Sequence, residues 1–379
     1  MSRQRDRRKK EKRTKNVAGR GRGVIVCGTD RYHKRNLAVR GERYRKNRDE
    51  DEKYVLRYVG SSARRAARAN IMTIPVVVHV VYNKNIENIS DDQIRSQLRV
   101  LNKDYRKLNG DVTNVPAPFK PMVADTRVEF KLACRDPSGN RTDGITRTRT
   151  KETSFDIPPE GSPPEAEKIK FSAHGGQDAW DSTRYLNIWV CNLAGGLLGY
   201  AQFPAGPPET DGVVINHWTF GDTGSAVSPQ SPFGTQFNKG RTATHEIGHY
   251  LDLYHIWGDD QFLSNPCSGT DNVADTPNTT AANSGKPTFP NRPNACPGTG
   301  QNGDMFMNYM DYTDDDTMYM FTIGQVVRMH AALDGPRTSL LDSETVICLA
   351  EESEVTRGTQ LPPTVYDGVN KLVDIAKQL

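Results

Sequence analysis

The sequence predicts an α/β (α+β) fold, and three observations carry that expectation. Strand-like and helical segments alternate up to about residue 255. A helical segment late in this part carries the run His245-Glu246-Ile247-Gly248-His249. After it the chain is rich in loop formers, with one more helical pattern. At 379 residues it is long enough for one sizeable core, or for two subdomains around a cleft.

Residues 71–83 alternate and are rich in valine, so they read as a strand. Ser90-Asp91-Asp92-Gln93 supplies a cap and an acidic first turn, and Ile94, Leu98, Leu101 and Tyr105 line one face of the helix that follows. Residues 126–133, 185–193 and 212–216 read as three further strands. The histidine-bearing helix is expected over 239–251, and Thr322 opens a last helix to about residue 333. No repeats occur.

Hydrophobic residues make up 35% of the chain and mean hydropathy is −0.68, which describes a water-soluble protein with long polar loops. The longest apolar run, 74–82, contains Pro75 and His79 and is a buried strand, not a membrane span. A net charge of +4 conceals a basic block, Arg3 to Lys15, read as a solvated, disordered arm. Such arms also bind nucleic acid, but no aromatic interleaving or recognition motif accompanies this one, so no specific nucleic acid is expected. No apolar stretch of signal-peptide length follows the charges.

On a helix, H-E-x-x-H sets His245 and His249 four residues apart on one face with Glu246 beside them. His255 follows six residues later, and the chain must turn after Leu251 to bring it round. Three neutral imidazoles with one open position describe a catalytic Zn2+ site. Such an ion lowers the pKa of a bound water to about 7 and polarises a carbonyl. Glu246 is placed as general base and proton shuttle. The expected chemistry is metal-assisted hydrolysis of an amide, most plausibly a peptide bond, so protein or peptide substrates are the expected partners. The competing reading is a non-catalytic basic-arm binding protein with a relic metal site; it predicts a missing base or ligand, and none is missing.

His245 to His255 resembles the elongated zinc motif of metzincin peptidases, with Asp252 where glycine is usual. Asp enters the left-handed region readily enough to serve there. Met307-Asn308-Tyr309-Met310-Asp311-Tyr312 resembles the methionine-containing turn of the same peptidases. The wording of both motifs, with Leu186-Asn187-Ile188-Trp189-Val190 and Leu198 to Pro204, is similar to the pappalysin family, especially its small ulilysin-like members. The resemblance spans about residues 70–342. It implies a twisted, mostly parallel sheet with a backing helix and the zinc helix in an upper lobe, over a loop-rich lower lobe with a C-terminal helix. It implies Met310 as an apolar floor beneath the imidazoles, although core packing is the ordinary use of a methionine. It also implies Tyr312 as a hydrogen-bond donor to the oxyanion, and an extracellular location.

Cys27 in Val26-Cys27-Gly28 matches the family's inhibitory Cys-Gly pair, a thiolate on the zinc of a latent form; a free thiol in a tail is the other reading. Residues 1–67 then form the basic arm and removable pro-segment, 68–342 the catalytic domain and 343–379 an extension of unknown role. Ulilysin-like enzymes favour a basic residue after the scissile bond. Asp314, Asp315 and Asp316 are candidates to pair with it, or a solvated turn. Self-cleavage before Arg64, Arg65 or Arg68 is the matching expectation. Asp271, Asp275 and Thr276, with Asp259 and Asp260 nearby, are candidates for Ca2+. Cys267 and Cys296 flank a long polar loop and are the best disulfide pairing; Cys134 and Cys191 read as buried thiols, and Cys348 is unassigned.

Overall fold

The computed structural model describes residues 23–61, 70–222, 231–258, 267–298 and 301–346. The basic arm, Arg64, Arg65, Arg68, Asp259, Asp260 and Cys348 lie outside the described residues.

Six strands form one sheet: β1 (Met72–Tyr82), β2 (Val128–Leu132), β3 (Ile145–Arg149), β4 (Leu186–Cys191), β5 (Gly199–Ala201) and β6 (Val213–Asn216). The order is β2-β1-β4-β6-β5, and every pairing is parallel except β5 with β6. β2 pairs with the first half of β1 and β3 with its second half, in tandem. Along β1 and β4 nearly every residue is buried, because a parallel sheet covered on both faces needs apolar side chains on each.

Among the described residues five α-helices accompany the sheet: α1 (Thr29–Val39), α2 (Gly41–Gly60), α3 (Asp91–Tyr105), α4 (Arg241–Tyr250) and α5 (Ile323–Asp334). On α3 the Ser90 hydroxyl accepts from Gln93 N, and Ile94, Leu98, Leu101 and Tyr105 are all buried as the spacing predicts. α3 and α4 bury their apolar faces in one core with Val76, Val78, Val80, Ile188, Val190 and Ile215. The opposite face of the sheet packs Val81, Trp189, Val214 and Tyr200 into a second core. Among the described residues no helix is long and apolar enough to cross a membrane.

The strands expected near 126–133, 185–193 and 212–216 and the helices expected near 91, 239–251 and 322–333 are present. β3, β5, α1 and α2 were not foreseen. α1 and α2 bury Tyr32, Arg35, Tyr44, Arg48 and Tyr58 in place of an aliphatic stripe, so the period that marks a helix is faint. Cys191 is a buried thiol as expected. Cys134 corrects its expectation: it is disulfide-bonded, to a partner outside the described residues. Thr345 O accepts from Cys134 N at 2.8 Å, which carries packed chain to the last described residues.

Candidate active site

α4 lies against the sheet with every residue buried. Its start is fixed by Asp315, whose Oδ2 accepts from Lys239 N (2.8 Å) and Arg241 N (3.3 Å). Gly240 precedes it in a left-handed conformation. Its end is Tyr250, and the chain reverses at Asp252, φ 71°, the left-handed turn expected where a glycine would be usual. That reversal brings His255 back to the helix.

The Nε2 atoms of His245, His249 and His255 then stand 3.0–3.3 Å from one another. His245 Nδ1 lies 2.7 Å from Tyr309 O and His249 Nδ1 lies 2.7 Å from Leu253 O. A carbonyl only accepts, so both Nδ1 atoms carry the proton and both Nε2 atoms present lone pairs. Lone pairs that face one another cannot bond among themselves; they need a cation. Nitrogens at zinc-bond length around a tetrahedral centre stand roughly 3.4 Å apart, and a thiolate sulfur stands about 3.6 Å from such a nitrogen. Cys27 Sγ is 3.5 Å from His249 Nε2, and all four donor atoms lie within 4.8 Å of one another. The donor set fits one tetrahedral zinc ion. Burial, then the charge of His255, lowers His245 to about 3, so its ring is neutral as a ligand must be. Burial, then Glu246, pushes the Cys27 thiol up to about 12, a pressure that a cation at the imidazoles opposes.

Glu246 is fully buried beside the donors. Its Oε2 accepts from Thr29 Oγ1 at 2.8 Å and lies 3.5 Å from Cys27 Sγ. Burial raises its carboxyl to about 8, against the lowering effect of those two hydrogen bonds. Thr29 and Asp30 were not singled out in the sequence, yet both reach the centre: Asp30 Oδ2 is 3.4 Å from His255 Nδ1. The space at Gly28 is set by Ile157, Leu197 and Tyr200, since a Cβ there would stand 2.5 Å from Ile157 Cδ1.

Met310 is fully buried, and its Sδ would stand 2.5 Å from a Cβ on Gly248, so it packs directly beneath α4. Asn308 Oδ1 accepts from Met310 N (2.9 Å) and exchanges hydrogen bonds with the Gln325 amide, tying the turn to α5. Tyr312 is half-buried, its ring 5.0 Å from that of His255 and 5.8 Å from that of His245. Trp257 was missed; it stacks on His255 at 4.4 Å.

The remaining candidates are dispersed. Asp315 is committed to α4, and Asp316 pairs with Lys286 at 2.5 Å; Asp314 is buried beside them. Asp271 Oδ2 accepts from Thr276 Oγ1 at 2.6 Å, and burial raises its carboxyl to about 7. Asp275 lies apart from that pair: its oxygens accept from Thr322 Oγ1 (2.7 Å) and Gly324 N (2.9 Å) at the start of α5. Cys267 and Cys296 are joined, with Cα atoms 5.7 Å apart.

Residues 172–334 match the peptidase family M43, described as Pregnancy-associated plasma protein-A. An extracellular metalloprotease of Arthroderma otae is 31% identical over 269 residues, 69% of this chain and 77% of that protein. A promirolysin mutant of Tannerella forsythia is 45% identical, with a TM-score of 0.71, over 84% of this chain and 97% of that one. Mature mirolysin of the same organism, in complex with a cleaved peptide, is 49% identical, with a TM-score of 0.65, over 73% of this chain and 99% of that one. With three histidines, a glutamate and a buried methionine gathered at one metal centre on a mostly parallel sheet, the chain belongs to the pappalysin family of metallopeptidases.

Proposed function

We propose that the protein is a secreted zinc endopeptidase made as a latent zymogen. The observation that carries this is Cys27, whose sulfur completes a tetrahedral donor set on three histidines and touches Glu246. The promirolysin match spans 84% of this chain and the mature one 73%, in keeping with a removable leading segment. The extracellular relatives support secretion.

When bound, zinc supplies a positive charge that polarises the attacking water and the scissile carbonyl. Glu246 takes the proton from that water and returns it to the leaving amine; a carboxyl lifted by burial is suited to both transfers. Tyr312 donates to the oxyanion as it develops. In the latent form Cys27 fills the water's place and the Thr29 hydroxyl engages the Glu246 carboxylate, so metal and base are blocked together. Residues 1–67 act as arm and inhibitor, 68–342 as the catalytic domain, and the role of 343–379 is not assigned. A basic side chain after the scissile bond pairs with Asp314 and Asp316, Asp315 being engaged by α4; the Lys286 ammonium already occupies Asp316 as such a side chain would. Activation follows self-cleavage before Arg64, Arg65 or Arg68. Ca2+ binds at Asp271 and Thr276; a cation there would offset the burial that disfavours the ionised Asp271 carboxylate.

The test compares zinc content and cleavage of an arginine-containing peptide between the matured wild type and Glu246→Ala. Zinc retained with activity lost by about 10²–10⁴-fold fits a general base. Full activity in the variant, or in metal-stripped enzyme, rejects the reading.

A further inference from the structure

The side chain of Tyr32, on α1, fills a pocket that belongs to the body of the protein. It is 1% exposed. Its ring lies 5.1 Å from that of Tyr200, and the Lys170 ammonium stands 4.8 Å over it. Its hydroxyl donates to Glu167 Oε2 at 2.7 Å, with Gln202 Oε1 at 3.3 Å, and Lys170 Nζ lies 3.4 Å away. Glu167 and Lys170 are both fully buried and 2.9 Å apart.

Apart from Glu167 Oε2, the polar atoms of these walls have partners besides Tyr32. Glu167 also accepts from Tyr200 OH (3.0 Å), Lys170 donates to Thr210 O (2.7 Å), and Gln202 Oε1 accepts from Thr210 Oγ1 (2.7 Å). Glu167 Oε1, Lys170 and Gln202 therefore stay paired when the phenol leaves, and Glu167 Oε2 is the acceptor left for another hydroxyl. A buried ion pair set at the hydroxyl end of a ring is more than packing requires; apolar residues of similar volume serve a core as well or better.

The pocket lies beside the outer edge of β5. The segment around Cys27 runs along that edge, with Ile25 N bonded to Gly196 O (2.9 Å), Leu198 N to Ile25 O (2.9 Å) and Gly28 N to Gly199 O (2.8 Å). An extended peptide that added to the same edge would project alternate side chains to the two faces of the sheet. On one face a Cβ at Gly199 would meet Glu246; on the other stands Tyr200.

We propose that, in the matured enzyme, the pocket of Tyr200, Glu167, Lys170, Gln202 and Trp189 is a substrate subsite that selects a phenol side chain, tyrosine, near the scissile bond. This rests on the zymogen reading, in which the segment carrying Tyr32 departs. The aromatic walls and the ammonium hold the ring, and the Glu167 carboxylate accepts a hydrogen bond from the hydroxyl.

Matured enzyme is given peptides with a fixed arginine after the cleaved bond and Tyr, Phe or Ala at each of three positions on either side. At one position kcat/KM should favour Tyr over Phe by about tenfold, the scale of one hydrogen bond to a charged group, with Ala poorer still. Glu167→Gln/Lys170→Met removes the buried pair together and should bring the Tyr-to-Phe ratio close to one. In parallel, N-acetyl-tyrosinamide and N-acetyl-phenylalaninamide are titrated onto the matured wild type, followed by tryptophan fluorescence. Preferential binding of the tyrosine probe is expected even if the double variant does not fold. No position with a preference for Tyr, together with equal binding of the two probes, overturns the subsite. A matured chain that cleaves none of the peptides yet prefers the tyrosine probe would instead refute the peptidase reading and leave the pocket standing as a binding site.

Discussion

Arg328 holds Asp252 at two points of one turn. Its NH2 is 2.8 Å from Asp252 Oδ2, its Nε donates to Asp252 O at 2.6 Å, and Asp252 keeps its left-handed φ of 71° between them. Both side chains are buried, and the turn they close delivers His255 to the metal centre. A glycine could make the turn but could not answer the Arg328 guanidinium. Arg328→Met removes one of the two guanidinium partners of the buried Asp252 carboxylate, Arg48 remaining, a loss of about 1.5–3 kcal/mol. The expected result is a lower unfolding temperature with faster loss of zinc to a chelator. Unchanged zinc retention would show that the turn is held by other means.

Cys27 Sγ stands with the three histidine nitrogens in a cluster that could hold one metal ion. Cys27→Ala should give early, unrestrained peptidase activity in the full chain. N-terminal sequencing of the product should begin at Arg64, Arg65 or Arg68 if maturation is self-cleavage. A fully latent variant rejects the switch, and a start elsewhere counts against autolysis.

The proposed inhibitory segment has a second attachment, on α2. Arg48 NH2 is 3.0 Å from Asp252 Oδ1, and Glu52 pairs with Arg328 at 2.5 Å while accepting from Asn272 Nδ2 at 3.0 Å. Glu52→Ala removes an acceptor from a buried guanidinium, worth about 1.5–3 kcal/mol. Maturation should be faster than in the wild type with Cys27 intact. An unaltered time course would confine latency to the thiolate.

Burial holds the Asp271 carboxyl at about 7, above the value near 3.9 of an unfolded chain. Between roughly pH 4 and pH 7 the folded chain therefore keeps a proton that the unfolded chain has released. Stability from this group is complete below about pH 4 and is lost as pH rises through 7. Ca2+ binds the ionised form, so its stabilising effect should be larger at pH 8 than at pH 5, and absent in Asp271→Asn. Calorimetric unfolding with and without Ca2+ reads this. Equal shifts at both pH values would place the ion elsewhere or nowhere.

The Cys267–Cys296 bond closes a segment with 29 residues of separation. Chain-entropy arguments give about 3–4 kcal/mol for a loop of that size. The Cys267→Ser/Cys296→Ser pair should unfold at lower denaturant concentration. An unchanged midpoint would mean that hydrogen bonds such as Asn283 to Asp311 already order the loop.

The sequence by itself made the histidine cluster legible, because its spacing is local: His245, Glu246 and His249 meet through one helical turn, and His255 needs only one reversal. The β1, β4 and α3 segments were legible for the same reason, as apolar periods of two and 3.6 residues are written into short windows. Tertiary structure decided the rest. β2 and β3 share one side of β1, a choice no single strand encodes. Of three adjacent aspartates, Asp315 was taken by the backbone of α4, and Asp275 by α5, because each faces the unpaired N–H groups of a helix start. α1 and α2 bury tyrosine and arginine against partners far along the chain. Their helical face means nothing until Glu167, Asp252 and Asp334 stand opposite it. Polar contacts of that kind are specified by both surfaces at once, whereas an apolar stripe needs only water to avoid.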